Sequence, residues 1–355
     1  MDRTRNYAFD LDLNSTRLVK EFHSHGRVSF EDGSSSVNWR YPNPGELREW
    51  LKSNGNFMCE LDLHTKTVLG HEAITFTGTS KRFFWAEFMT HRECGRNASS
   101  TRAIPYEKMK KWILNDPALP IHYGRNKPGM VSGSEIDDVD GCEADLLDML
   151  EEVYRRMDLI YERYGLHKDF INRCSEPWSW IRWVVTYSRP GFHNMLNLRC
   201  NPGANPDYQR LAVTMARLYR KSVLSNSVTL LEPGQWHISM ISDIHDWTTS
   251  PPSGSISDLK EKLIWSTARS AWTSYLTVEE KIATFEQAIK RHDDCIKLIH
   301  PTPLEHQCQA TGDDSRSGPM IGYKQYRHMV PNESCSEFDF SILDGIYKDR
   351  DFVIS

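Results

Sequence analysis

The chain has no apolar run approaching the ~20 residues that a membrane-crossing helix needs, so no transmembrane segment is expected. No CxxC pair occurs among its eight cysteines, and their scatter gives neither a disulfide framework nor a zinc ribbon. The charged start MDRTRNYAFD lacks the apolar stretch of a secretory leader. Together these absences point to a reducing, cytoplasmic setting. A basic excess is missing too. With 43 Lys and Arg against 48 Asp and Glu, the net charge is −5, which argues against nucleic-acid binding by bulk phosphate neutralisation. What is present is a 39% hydrophobic content over 355 residues, enough for one large domain or two intimate ones with a real core.

Local patterning divides the chain into an accessory segment (1–58), a larger unit (59–245) and a smaller one (260–355), the loop DWTTSPPSGSISDL at 246–259 marking the last boundary. A short helix is expected near Gly45. Over 59–92, alternating β-branched and aromatic residues predict strands, then a helix over FFWAEFM that leaves THRECGRNASSTRAIP in a loop. Leu146, Leu150, Val153, Met157 and Ile160 recur in steps of three and four, which predicts an amphipathic helix over 143–165 stopped by Gly165. A second helix is expected to run to Glu176 and break at Pro177, followed by a strand over WIRWVVTY. FHNMLNLRC reads as a turn and 206–221 as a helix with Leu211, Met215, Leu218 and Tyr219 on its core side. A further helix is expected near 278–292.

The chemistry concentrates in THRECGRNASSTRAIP. Here His91, Arg92, Asn97, Ser100 and Arg102 are interleaved with Gly95, Ala98 and Ser99, small residues that let a ligand approach the backbone. Arginine forks beside hydroxyls and backbone N–H groups are a common grip for phosphate, so a phosphorylated small molecule fits this stretch. His91 with Arg92 would equally suit the cationic end of a helix. His300, Glu305, His306 and Cys308 have the chemistry of metal ligands, but no second cluster completes a set and no metal is expected.

THRECGRNASSTRA resembles the signature of the flavin-dependent thymidylate synthases, with His91, Arg92, Asn97, Ser100 and Arg102 on pattern and Thr90 and Ala98 departing from it. FHNMLNLRCNPGANPDYQRLA is similar to a second family segment, with Asn194, Leu198, Arg199, Ala204 and Asp207 on pattern, and INRCSEP resembles a third, placing Arg173. HPTPLEH resembles a motif that the family carries near its amino terminus, whereas here it falls near the carboxyl end, after Ser274. GYKQYRH is similar to a truncated copy of the triplet helix.

The resemblance implies an α/β fold of mixed sheets with a helical layer, built from two related, permuted halves. It further implies FAD as cofactor, with methylenetetrahydrofolate and NADPH as co-substrates, and methylation of dUMP at C5 to give dTMP. Arg199 would be catalytic, activating the pyrimidine. Ser100, Arg102 and Arg173 would anchor its phosphate. Gln325 would stand in for a substrate-side glutamine, because the first-half position carries Glu87. His91, Arg92, Asn97, Asn194, Ser274, His300, Thr302 and Glu305 would line the flavin. A homo-oligomer, dimer or tetramer, goes with this reading. UMP or dCMP as substrate, a hydroxymethyl product, and a flavin- or nucleotide-binding protein without turnover stand as alternatives.

Overall fold

The computed structural model describes residues 58–241, 258–273, 284–298, 300–331, 333 and 341, and the backbone of three short strands, β1 (Val19–His23), β2 (Arg27–Phe30) and β3 (Ser35–Ser36), which pair antiparallel. The expected helix near Gly45, Ser274 and most of the 246–259 loop lie outside the described residues.

A five-stranded sheet organises the rest. It comprises β4 (Met58–Thr67), β5 (Glu72–Lys81), β6 (Cys94–Ala98), β7 (Trp180–Ser188) and β8 (Thr229–Leu231), in the order β6-β7-β5-β4-β8. All neighbours are antiparallel except β4 and β8. Every residue of β5 is buried, because both faces of the sheet are covered, each by different chemistry.

One face is apolar. Ile74, Phe76, Ile181, Trp183, Val185 and Tyr187 alternate onto it and pack against Phe192, Met195, Tyr208, Leu211 and Met215, as the period of two in strands requires. The covering helices include the one-turn α1 (Trp85–Phe88) that follows β5. A separate apolar cluster joins α2 (Tyr106–Asn115), α3 (Val139–Tyr164) and the single turn α4 (Lys168–Ile171) through Met109, Leu150, Tyr154 and Ile171. Then come the two that pack on the sheet, α5 (Arg189–Arg199) and α6 (Pro206–Leu224).

The other face carries threonines. Thr65, Thr75 and Thr186 meet a three-stranded sheet made of β9 (Trp236–Ile238), β10 (Gln307–Ala310) and, after the small hairpin β11 (Arg316–Ser317) and β12 (Met320–Ile321), β13 (Tyr323–Gln325). That sheet takes β9 from before the 246–259 loop and the other strands from after it. Beside it lies α7 (Leu259–Thr273), with residues 263–273 all buried, and α8 (Phe285–Lys297) packs on α7. Two polar side chains inside α7 bond to its neighbours: Ser266 donates to Ser239 O at 2.6 Å and accepts from Gln307 Nε2 at 2.7 Å, while Arg269 donates to Met240 O at 2.8 Å.

The two sheets are stitched by a buried polar seam. Tyr323 OH donates to His71 O (3.4 Å) and lies 3.0 Å from Thr65 Oγ1, which lies 2.9 Å from His237 Nδ1. His237 Nε2 meets Thr75 (2.8 Å), Thr75 meets Thr186 (2.7 Å), and Thr186 meets His306 Nδ1 (2.9 Å). One self-consistent proton order runs along the seam, starting from Tyr323 as donor to the His71 carbonyl. Tyr323 gives its only proton to His71 O, so it accepts from Thr65. Thr65 then accepts from His237 Nδ1–H, which makes His237 Nε2 an acceptor. Thr75 donates to that nitrogen, Thr186 donates to Thr75, and His306 Nδ1–H donates to Thr186.

Several expected elements differ in the structure. FHNMLNLR is helical rather than a turn, since Ser188 accepts from Gly191 N and Pro190 sits in the first turn, the usual start of a helix. The helix expected up to Glu176 is the one-turn α4 followed by 3-10 backbone over Asn172–Trp178, which passes through Pro177. α3 ends at Gly165 as expected, with φ 59°. Its buried side, however, is Leu150, Tyr154 and Met157, and Ile160 is exposed. Residues 94–98 form strand β6, not loop, and GYKQYRH is strand and 3-10 turn, not helix.

Burial holds His237 and His306 down at about 3, so both are neutral when folded and take up protons only on unfolding below their ordinary value near 6.5. Stability is therefore full above pH ~6.5 and falls towards pH 3, by up to ~1.4 kcal/mol per pH unit for each ring. Urea midpoints measured between pH 7.5 and 4.5 should fall, and Thr186→Val, which strips a partner from both His306 and Thr75, should lower the neutral-pH unfolding free energy by ~1–3 kcal/mol.

Candidate functional site around the edge strand

β6 is the edge of the large sheet, and polar side chains gather on both of its sides. On the helix side, α1 delivers Glu87 and then Thr90 and His91. The facing Arg199 comes from the last turn of α5. Gly191 lets that helix sit on the segment before β6, because a Cβ there would stand 2.4 Å from Glu93 O. α6 is pinned in turn: Asn205 caps it by accepting from Asp207 N and Tyr208 N, and buried Lys81 pairs with Asp207 at 2.6 Å. That anchoring puts the Tyr208 ring under Arg199, 4.8 Å from the guanidinium carbon.

Arg199 is tightly held. Nε donates to His91 Nε2 (2.9 Å), Nη1 to Glu87 Oε2 (3.0 Å), and Nη2 to Glu87 O (3.3 Å) and Thr90 Oγ1 (3.2 Å). Because His91 Nε2 accepts, its proton is on Nδ1. Burial, with Arg199 and Arg96 nearby, lowers the ring to about 4, so it is neutral at physiological pH. Arg96 also donates to His91 O. Cys94 is buried and its thiol is pushed up to about 12 by that burial, and half-buried Cys200 is raised as well, which matches packing side chains rather than a thiolate nucleophile.

On the opposite side of β6, Gly95 and Asn97 face the 3-10 turn Thr302–Glu305. The Asn97 amide lies 3.3 Å from His306 Nε2. Turned with its nitrogen inward, it donates to Thr302 O and Arg96 O at 3.0 Å each. Glu305 pairs with Arg327, and its carbonyl accepts from Gln325 Nε2 at 3.0 Å. Burial raises the Glu305 carboxyl despite that arginine.

Beyond the end of β6, Arg102 and Arg173 converge on one carboxylate, Asp169 Oδ1, at 2.9 and 3.6 Å. Both side chains are more than half exposed, at 63% and 58%. Ser100 Oγ accepts from Arg102 N at 3.3 Å.

The residues singled out in the sequence thus fall into three groups. His91 and Arg199 touch; Asn97, Thr302, Glu305 and Gln325 form an interior group; Ser100, Arg102 and Arg173 form a surface group. Arg92, Asn194 and His300 are exposed. Among the described residues no hydrogen bond or ion pair joins Arg199 to Arg102 or Arg173, although Ser100 and Arg102 follow directly from the strand that His91 precedes. Glu87, Tyr208 and Arg327 were not singled out as site residues. Their signals were weak, being a departure from the motif, a core-type tyrosine and the penultimate residue of GYKQYRH. His237, which follows Trp236 on β9, is a member of the seam. Among the described residues no three His, Cys, Asp or Glu side chains gather as a metal set, and no helix is long and apolar enough to cross a membrane.

The fold is a mixed α/β arrangement, and comparison with known proteins adds little to that class. Neither a protein-family model nor a curated protein sequence matches the chain. Among solved structures, the UMP/dUMP methylase PolB from Streptomyces cacaoi, bound with 5-Br UMP, is similar over 49% of this chain and 96% of its own, at 13% identity and a TM-score of 0.38. At that level the likeness decides neither fold nor activity.

Gly95→Ala tests how closely the two sides of β6 are coupled. The new methyl would lie 2.7 Å from Glu305 Cβ and 3.1 Å from Glu305 O, so the strand or the turn must shift. A loss of ~1–3 kcal/mol is expected in urea unfolding, and an unchanged midpoint would show that the turn yields freely.

Proposed function

We propose that this protein is a flavin-dependent enzyme that methylates a pyrimidine nucleoside monophosphate at C5. As the resemblance implies, it would use methylenetetrahydrofolate as carbon donor and NADPH as reductant. The observation that carries the reading is the meeting of distant motif segments at β6. His91 bonds Arg199, 108 residues away, and Asn97 lies against His306, 209 residues away. Segments that resemble one family's signature, one of them displaced to the carboxyl end of the chain, thus come together in space.

In this reading Arg102 and Arg173, pre-aligned by Asp169 yet exposed, grip the phosphate with Ser100 beside them, a bidentate arrangement suited to that anion. Arg199 is the side chain set to stabilise negative charge developing on the pyrimidine ring. Its Tyr208 platform and the neutral His91 hold the guanidinium plane in place. The chemistry of the open donors fits a flavin dinucleotide: Arg92, Asn194 and His300 are exposed and match a diphosphate and ring heteroatoms. Asn97 and Glu305 have their polar atoms engaged inside the protein, so they support the strand and turn rather than touch the cofactor. Once bound, the flavin would supply the hydride that completes the methyl group. A cytosolic homo-oligomer, dimer or tetramer, belongs to the same proposal. One observation favours a second reading, a binding protein without turnover: the donors of Arg199 are already directed at Glu87, Thr90 and His91.

Purified protein should be yellow or take up FAD, and with folate and NADPH it should release tritium from C5-labelled pyrimidine monophosphate. Release from none of dUMP, UMP and dCMP would defeat the methylase, and a colourless protein that cannot be reconstituted would defeat the flavin. Arg199→Ala should lower release by ~100-fold or more while flavin stays bound.

A further inference from the structure

We propose that Glu87 reads an exocyclic amine, so that the base this site takes is cytosine, in dCMP or CMP, rather than uracil. The inference rests on the reading of a pyrimidine monophosphate beside Arg199 and names which pyrimidine it is. Arg199 has its Nε and both Nη atoms directed at protein acceptors, and its face lies on Tyr208. Of the five N–H groups of Arg199 only one, on Nη1, is left over among the described residues, and the acceptor capacity left beside it is on Glu87. Its side chain is 40% exposed and uses Oε2 for the arginine, and among the described residues nothing donates to Oε1.

A carboxylate paired to a guanidinium offers only acceptors. Uracil presents O2, N3–H and O4, so an incoming carboxylate oxygen meets a single donor flanked by two carbonyl oxygens. Cytosine presents N4–H2 in place of O4, and an acidic side chain accepting from cytosine N4 is a standard pairing, worth ~1–3 kcal/mol against the wrong base. An amide at the same place would turn either way and accept both bases. The carboxylate has no such freedom, and Arg199 fixes its orientation. Thr90 completes the clamp by donating to Glu87 O at 2.7 Å, which holds the end of α1 against the arginine.

The test uses the full chain, with FAD supplied, titrated by calorimetry with dCMP, CMP, dUMP and UMP. Each cytosine nucleotide should bind at least ~10-fold more tightly than its uracil counterpart, and Glu87→Gln should level or reverse that ratio while Glu87→Asp retains its direction. Equal or uracil-preferring binding by the unaltered chain overturns the base assignment and leaves the pyrimidine reading in place. A cytosine preference that survives Glu87→Gln also overturns it, since another group would then read the amine. If none of the four nucleotides binds, the underlying reading fails and this inference with it. The ratio for the unaltered chain decides the matter even if the substituted chains do not fold.

Discussion

The polar seam between the two sheets is the interaction on which the rest of the structure depends. Its rings and hydroxyls are buried, so each polar atom must find a partner inside or cost free energy. In the proton order that starts at the His71 carbonyl, both histidines are the neutral Nδ1–H tautomer, in keeping with the burial that holds them uncharged. The seam also determines where His306 presents its free Nε2: against Asn97, at the middle of the edge strand. The position of β6 relative to the 3-10 turn at Thr302–Glu305 thus follows from hydrogen bonding several strands away.

That arrangement explains why the polar residues gather at an edge strand. β6 pairs with β7 on one side only, and the Arg96 backbone on its other side is met by the Glu305 carboxylate. Its two faces inherit the two chemistries of the sheet. Cys94, Arg96 and Ala98 turn to the side of the apolar helices, where α5 and α6 bring Arg199 and Tyr208. Gly95 and Asn97 turn to the threonine side, where the seam brings His306. A short strand of five residues can serve both only if its turns are rigid, and the absent side chains of Gly95 and Gly191 allow the close packing on each side.

How far all this could be read from the sequence varied with the range of the forces involved. α3 and the strand WIRWVVTY were legible because each is fixed by its own periodicity, and the stop at Gly165 by backbone freedom at φ 59°. α5 was missed although Ser188 and Pro190 mark its start. Its core positions, Phe192, Met195 and Leu196, are few and Leu198 is exposed, so tertiary packing rather than pattern makes it a helix. β6 was missed because Gly, Arg and Asn have little strand preference. They form a strand because β7 supplies the partner. The seam left a trace, the alternating threonines of EAITFTGTSK, but nothing local could tie Thr75 to His237 or Thr186 to His306.

The candidate site was legible as a list of residue types and not as a geometry. Motif resemblance gathered His91, Arg199, Ser100, Arg102 and Arg173 without distinguishing an arginine fully engaged by protein from one left open. The structure draws that line through charge balance. Arg102 and Arg173 share one carboxylate, so a positive charge remains over at the surface, where an anion would be attracted. Arg199 has Glu87 to itself and is neutralised in place. The same pairing sets the angle of both partners: the arginine, which the motif names, keeps its plane over Tyr208, and the acid beside it, which the motif lacks, keeps one oxygen open.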